Sequence, residues 1–104
     1  MNDRSEVNYE MGYGAQEFGK VLCGPFSGEK SDFVSESIAS NHWKVRQKNS
    51  SFCVEIEVAE QPDRELGLLR LPVLKVRFEI QDDPGDSTAA FFKRFHQYFH
   101  KGGG

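Results

Sequence analysis

The strongest constraint on this chain lies in its last third, where an alternating run leads into an aromatic helix. From Leu66 to Gly104 it reads LGLLRLPVLKVRFEIQDDPGDSTAAFFKRFHQYFHKGGG. Leu74, Val76, Phe78 and Ile80 alternate with Lys75, Arg77 and Glu79, the period-2 signature of a strand with one buried side. Beyond the Asp83-Pro84-Gly85 break, Asp83, Asp86 or Ser87 can cap a helix, and Gly102 can end it. At about 100° per residue, Phe91, Phe92, Phe95, Tyr98 and Phe99 fall within an arc of roughly 120°. Lys93, Arg94, His96, Gln97, His100 and Lys101 take the other side. A strand and a helix that each carry one apolar side must bury those sides together, so the chain folds in layers.

A second segment fixes a register. Trp43, Val45 and Gln47 alternate with Lys44, Arg46 and Lys48; after Asn49-Ser50, Phe52, Val54, Ile56 and Val58 alternate with Cys53, Glu55 and Glu57. A turn centred on Asn49-Ser50 sets Val45 opposite Val54 and Trp43 opposite Ile56 on one face, and Lys44 opposite Glu55 on the other. Apolar and charged patterns agree on that one pairing.

The remaining segments carry weaker signals. A loop is expected around Gln61-Pro62-Asp63. Leu69, Leu71 and Val73 are out of phase with the later even-numbered apolar set. This points to a bulge or an edge position near Leu71-Pro72, or to a split of the run into two strands. Residues 17–26, EFGKVLCGPF, read as a short strand closed by Gly24-Pro25. Ser31 can cap a helix carrying Phe33, Val34 and Ile38 and stopping at Asn41. Residues 1–16 read as a flexible polar tail, 17–101 as a single α+β domain and 102–104 as a flexible glycine tail. The expected fold is a two-layer α+β sandwich. It has a predominantly antiparallel sheet of three to five strands, two helices on one face and the order (β)αβββα.

Composition narrows the class. With 104 residues, 13 basic and 16 acidic, the chain is one domain's worth with a formal net charge of −3, without the basic excess of a general nucleic-acid binder. No apolar run approaches the roughly 20 residues that cross a bilayer, so no membrane partner is expected. The N-terminus lacks a basic stretch followed by an apolar one, unlike a secretory signal. Cys23 and Cys53 form no CxxC and fit two thiols in a reducing compartment, so the cytoplasm is the expected location.

Several motifs invite chemistry, and each has a plainer explanation. His96 and His100 have the i, i+4 spacing with which two imidazoles share a metal. The run His-Gln-Tyr-Phe-His lacks the glutamate of a metalloprotease, and Lys93 sits beside it. A solvated helix face is the expectation, with no metal and no cofactor. Gly14-Ala15-Gln16-Glu17-Phe18-Gly19-Lys20 matches GxxxxGK, but Val21 stands where a phosphate loop needs Ser or Thr. Gly103-Gly104 ends like the tail of ubiquitin-like carriers, although a helix rather than a strand precedes it. Ser31, Ser35, Ser37, Cys23, Cys53 and His42 form no nucleophile motif, so no catalytic residue is assigned.

The αβββα element order resembles the double-stranded RNA-binding fold. That likeness implies phosphate contacts from lysines at the start of the second helix. This chain has Asp82, Asp83 and Asp86 there. Lys44, Arg46 and Lys48 with Lys75 and Arg77 make a basic sheet face, but Glu55, Glu57 and Glu79 share it, so nucleic acid is disfavoured as a partner. The leading expectation is a small non-catalytic protein-interaction module, with a protein partner or a second copy of itself. It would work through a sheet edge or an outward face bearing Lys44, Arg46, Glu55, Glu57, Lys75 and Arg77. A small-ligand pocket or enzyme site between the sheet and the last helix, lined by Phe91, Phe95, Trp43 and Phe52, is the first alternative. Weak nucleic-acid binding through the basic sheet face is the second.

Overall fold

The structure, a computed structural model, describes residues 5–24, 32–81 and 86–99. The elements are β1 (Ser5–Met11), α1 (Ala15–Cys23), β2 (Phe33–Ala39), β3 (His42–Gln47), β4 (Cys53–Leu66), β5 (Leu69–Gln81) and α2 (Asp86–Tyr98). The five strands form one sheet in the order β1-β5-β4-β3-β2, every pairing antiparallel. Both helices cover the same side. The chain is thus an α+β sandwich with the order βαββββα.

The β3–β4 hairpin has the register expected from its alternation: Trp43 faces Ile56, Lys44 faces Glu55 and Val45 faces Val54. Its turn is closed by Gln47 N–H donating to Phe52 O at 3.3 Å, with Asn49 at φ 59°, a left-handed position that asparagine tolerates better than most residues. The same phase continues through β5, where Ile56 faces Phe78 and Val54 faces Ile80.

The first half of the chain corrects three expectations. Ser5–Met11, within the expected tail, is an edge strand paired with β5 from Ser5–Ile80 to Met11–Leu74. Its Val7, Tyr9 and Met11 pack against the core, a period-2 pattern thinned by polar neighbours. Residues 15–23, expected as the end of the tail and a strand from residue 17, are α1, because Phe18, Val21 and Leu22 recur at i, i+3, i+4 and bury Phe18 and Leu22 completely. Glu17 in the first turn and Lys20 in the last suit the helix dipole. Residues 33–39, expected as a helix, are β2, paired with β3 from Phe33–Gln47 to Ala39–His42 with a register shift between Ser37 and Ala39. Ser31, the expected cap, lies outside the described residues, as do His100 and the glycine tail.

The third segment is also longer than expected. Gln61-Pro62-Asp63 is not a loop, because β4 runs through it to Leu66. β5 is not split at Pro72 and carries no extra residue. Gln61 faces Val73 and Arg64 faces Leu71, so two residues of β4 oppose Pro72 alone. The bulge therefore sits on the partner strand, opposite the residue that has no N–H to give.

Between the layers lies an aromatic core. Phe91, Phe95 and Phe99 of α2 and its C-terminal flank are buried, and Phe95 stacks on Phe99 with centroids 4.3 Å apart. Phe78 meets Phe95 edge-on at 5.1 Å. Phe18 brings α1 into the cluster through Trp43 at 5.5 Å and Phe99 at 4.8 Å. Tyr98, expected on the buried arc, is 54% exposed, since it lies at that arc's margin. At the other end of α2, buried Ser87 donates its hydroxyl to Gln47 Oε1 at 2.6 Å and pins the helix to β3.

Candidate interaction surface

With both helices on one side, the sheet's other side is uncovered and the strand registers show what it carries. From β3 it receives His42, Lys44 and Arg46, and from β4 Cys53, Glu55, Glu57 and Ala59. β5 adds Lys75, Arg77 and Glu79, and β1 adds Glu6, Asn8 and Glu10. All six residues expected on an outward face, Lys44, Arg46, Glu55, Glu57, Lys75 and Arg77, are therefore brought to one surface.

Some of its charges pair within it. Arg77 lies 3.3 Å from Glu57 and 3.7 Å from Glu79, and His42 Nε2 lies 2.9 Å from Glu55 Oε1. Glu55, Glu79 and Glu6 are direct lateral neighbours on three adjacent strands, a row of like charges that sheets ordinarily avoid. With Glu36 opposite Lys44 and Glu10 opposite Lys75, glutamates outnumber the four bases on this surface. Above Ala59, whose small side chain leaves room, an open hollow of about 350 Å³ is bordered by Asn8, Asn41, Glu57, Lys75 and Arg77.

The surface ends in a feature that the expected face did not include. β1 stops at Met11, opposite Leu74, and β3 reaches along β4 only to Glu57. Beyond them, Gln61–Leu66 and Leu69–Val73 continue as a two-stranded arm. Its tip is a two-residue turn with Gly67 at φ 64°, fitting the glycine-first hairpin turn. Leu66, Leu68, Leu69 and Leu71 on this arm are between 42% and 103% exposed. Because β5 gains no residue at Pro72, Leu69, Leu71 and Val73 share the uncovered side with Lys75, Arg77 and Glu79. The phase mismatch at Pro72 was the sequence signal: it marks where the apolar residues change sides.

The arm's root is anchored: Arg64 Nη2 lies 3.0 Å from Glu10 Oε1, and Glu60 Oε2 accepts the Ala15 N–H at 3.0 Å. Near the tip, Arg70 pairs with Glu65 across the two strands at 3.2 Å. Beside the end of β1, a notch of about 120 Å³ is lined by Glu10, Met11, Arg64, Leu71, Pro72 and Val73.

The other sequence candidates are placed as follows. Residues 15–20 of the GxxxxGK match are helical rather than a loop, and Glu60 already occupies the first amide of α1. His96 is exposed, with Nε2 3.3 Å from the Tyr9 hydroxyl and its ring stacked on Phe92. Its expected companion His100 lies outside the described residues. Among the described residues no group of three His, Cys, Asp or Glu side chains gathers to hold a metal. Phe91, Phe95, Trp43 and Phe52 are buried core residues in ring-to-ring contact, Phe52 with Phe91 and Phe18 with Trp43 among them. Cys23 and Cys53 are not in a disulfide. No described helix is long and apolar enough to cross a membrane.

Comparison with known proteins adds no relative: no family model fits the chain, and no curated protein or solved structure is significantly similar to it.

Proposed function

We propose that this chain is a small non-catalytic cytoplasmic protein-interaction module that docks through the uncovered side of its sheet. The observation that carries the reading is the leucine-bearing arm. Four of the six large hydrophobic residues exposed among the described ones lie on this hairpin. Exposed apolar residues gathered in one place mark a contact surface, whereas scattered ones do not. The charged residues Lys44, Arg46, Glu55, Glu57, Lys75 and Arg77 alongside would form a polar rim that orients a partner more than it holds one. The two thiols agree with a reducing compartment. The glutamate-rich rim weighs against nucleic acid, and the filled aromatic layer weighs against a ligand pocket beneath the helix.

Affinity capture and light scattering on the full chain, beside Leu69→Glu/Leu71→Glu, test this. The wild type is expected to form a complex, with itself or with another protein, that the double variant loses. A wild type that stays monomeric and retains no more protein than the variant would sink the reading.

A further inference from the structure

The arm presents a projection and a recess that match each other, and we infer that the partner it takes is a second copy of this chain. This rests on the interaction-module reading and specifies its occupant. Leu68 stands fully exposed at the tip, and the notch at the root is bordered by Met11, Leu71, Pro72 and Val73 and by the ion-paired Arg64 and Glu10. Leu68 at the tip and Leu71 at the notch wall are three residues apart along the arm, about 10 Å at the rise of an extended chain. Two arms laid antiparallel about a two-fold axis through their midpoints bring each tip to the other's notch. The same operation packs Leu66, Leu69 and Leu71 of one copy over those of the other. Such a contact is isologous and closes at two copies, without propagating into a fibre.

Charge permits this pairing. The chain as a whole carries −3, so net charge gives two copies no general attraction and salt screens the weak repulsion. Residues 61–73 carry two acids, Asp63 and Glu65, and two bases, Arg64 and Arg70. The arm is the neutral part through which copies meet without net repulsion. A bare two-stranded ribbon is also marginal in water, and a second arm against its leucines supplies the apolar cover that the helices supply elsewhere. The contact is smaller than a standard interface, so the dimer is reversible, with a dissociation constant on the order of micromolar or weaker.

Sedimentation of the full chain over a wide concentration range reads this directly. The expected result is a monomer that becomes a dimer with rising concentration, and an at least tenfold weaker association in Leu68→Glu. An unchanged urea midpoint for Leu68→Glu shows that the fold is intact. The geometry is read in a Cys23→Ser/Cys53→Ser background by oxidising a mixture of Leu68→Cys and Leu71→Cys chains. The mixed 68–71 disulfide should dominate, while preferential 68–68 linkage would mean tip-to-tip contact and overturn the arrangement. A chain that stays monomeric at every concentration overturns the inference. If such a chain still binds another protein through the arm, the occupant is wrong but the module reading stands; if it binds nothing, both fall.

Discussion

Gly19 lies inside α1, where glycine is a poor helix former, and its reason is a neighbour rather than a turn. A Cβ at this position would sit 2.8 Å from Cζ2 of Trp43, and that ring is buried between α1 and the sheet. Replacement by alanine improves helix propensity by about 0.5–1 kcal/mol but overpacks a filled core, which costs about 1–3 kcal/mol. The ring cannot retreat without disturbing Phe18, so the second effect wins. Gly19→Ala should lower the urea midpoint with an unchanged slope, and a raised midpoint would show that the two layers have slack. Trp43 was legible in the sequence as an inward residue of its hairpin. That it limits a glycine 24 positions earlier was not, because the spacing of one segment carries nothing about which element crosses it.

Among the elements, those with strong periodicity were legible and those with mixed signals were not. The β3–β4 hairpin and the β5 phase could be read to the residue pair, since apolar and charged patterns demand the same register. β1 was missed because an edge strand with one lightly buried side has polar residues at every second position and little to distinguish it from a tail. For each of α1 and β2 the sequence pattern predicts the other's class. In α1 a short apolar run hid the i, i+3, i+4 spacing of Phe18, Val21 and Leu22. In β2, with Phe33 its only buried residue, local pattern had little to act on. Six charged residues of the uncovered face were legible by alternation, while the leucine arm was visible only as an unexplained phase shift. α2 is the element on which the layers depend most, and Phe95 is its centre, touching Phe18, Phe78, Phe91 and Phe99. Phe95→Ala should cost about 3–5 kcal/mol, a large share of the roughly 5–15 kcal/mol that holds a domain together. Loss of the cooperative thermal transition, or a midpoint drop of that size, is the expected outcome. A shift near zero would mean that α2 is not docked as described.

At the scale of the whole molecule, the sheet's order has one break in neighbourliness. β2, β3, β4 and β5 follow one another in space as in sequence, whereas β1 pairs with β5 across the length of the chain, Ser5 with Ile80. The meander closes through short loops, but β1 closes only by gathering almost everything between, and the entropy of that closure must be met before its hydrogen bonds form. The expected order of assembly is the four-stranded meander and α2 first, then α1 on Trp43, and β1 last, sealed by the Tyr9 contacts with Phe78, Phe92 and His96. Amide exchange should show β1 opening at lower free energy than the Val54–Val58 and Val76–Ile80 segments, and equal protection would refute this order. The last strand to arrive is also the first to leave. Each opening bares the far edge of β5 while the rest stays folded, so a newly made chain emerging N-terminus first must hold its first strand in waiting until its last one exists.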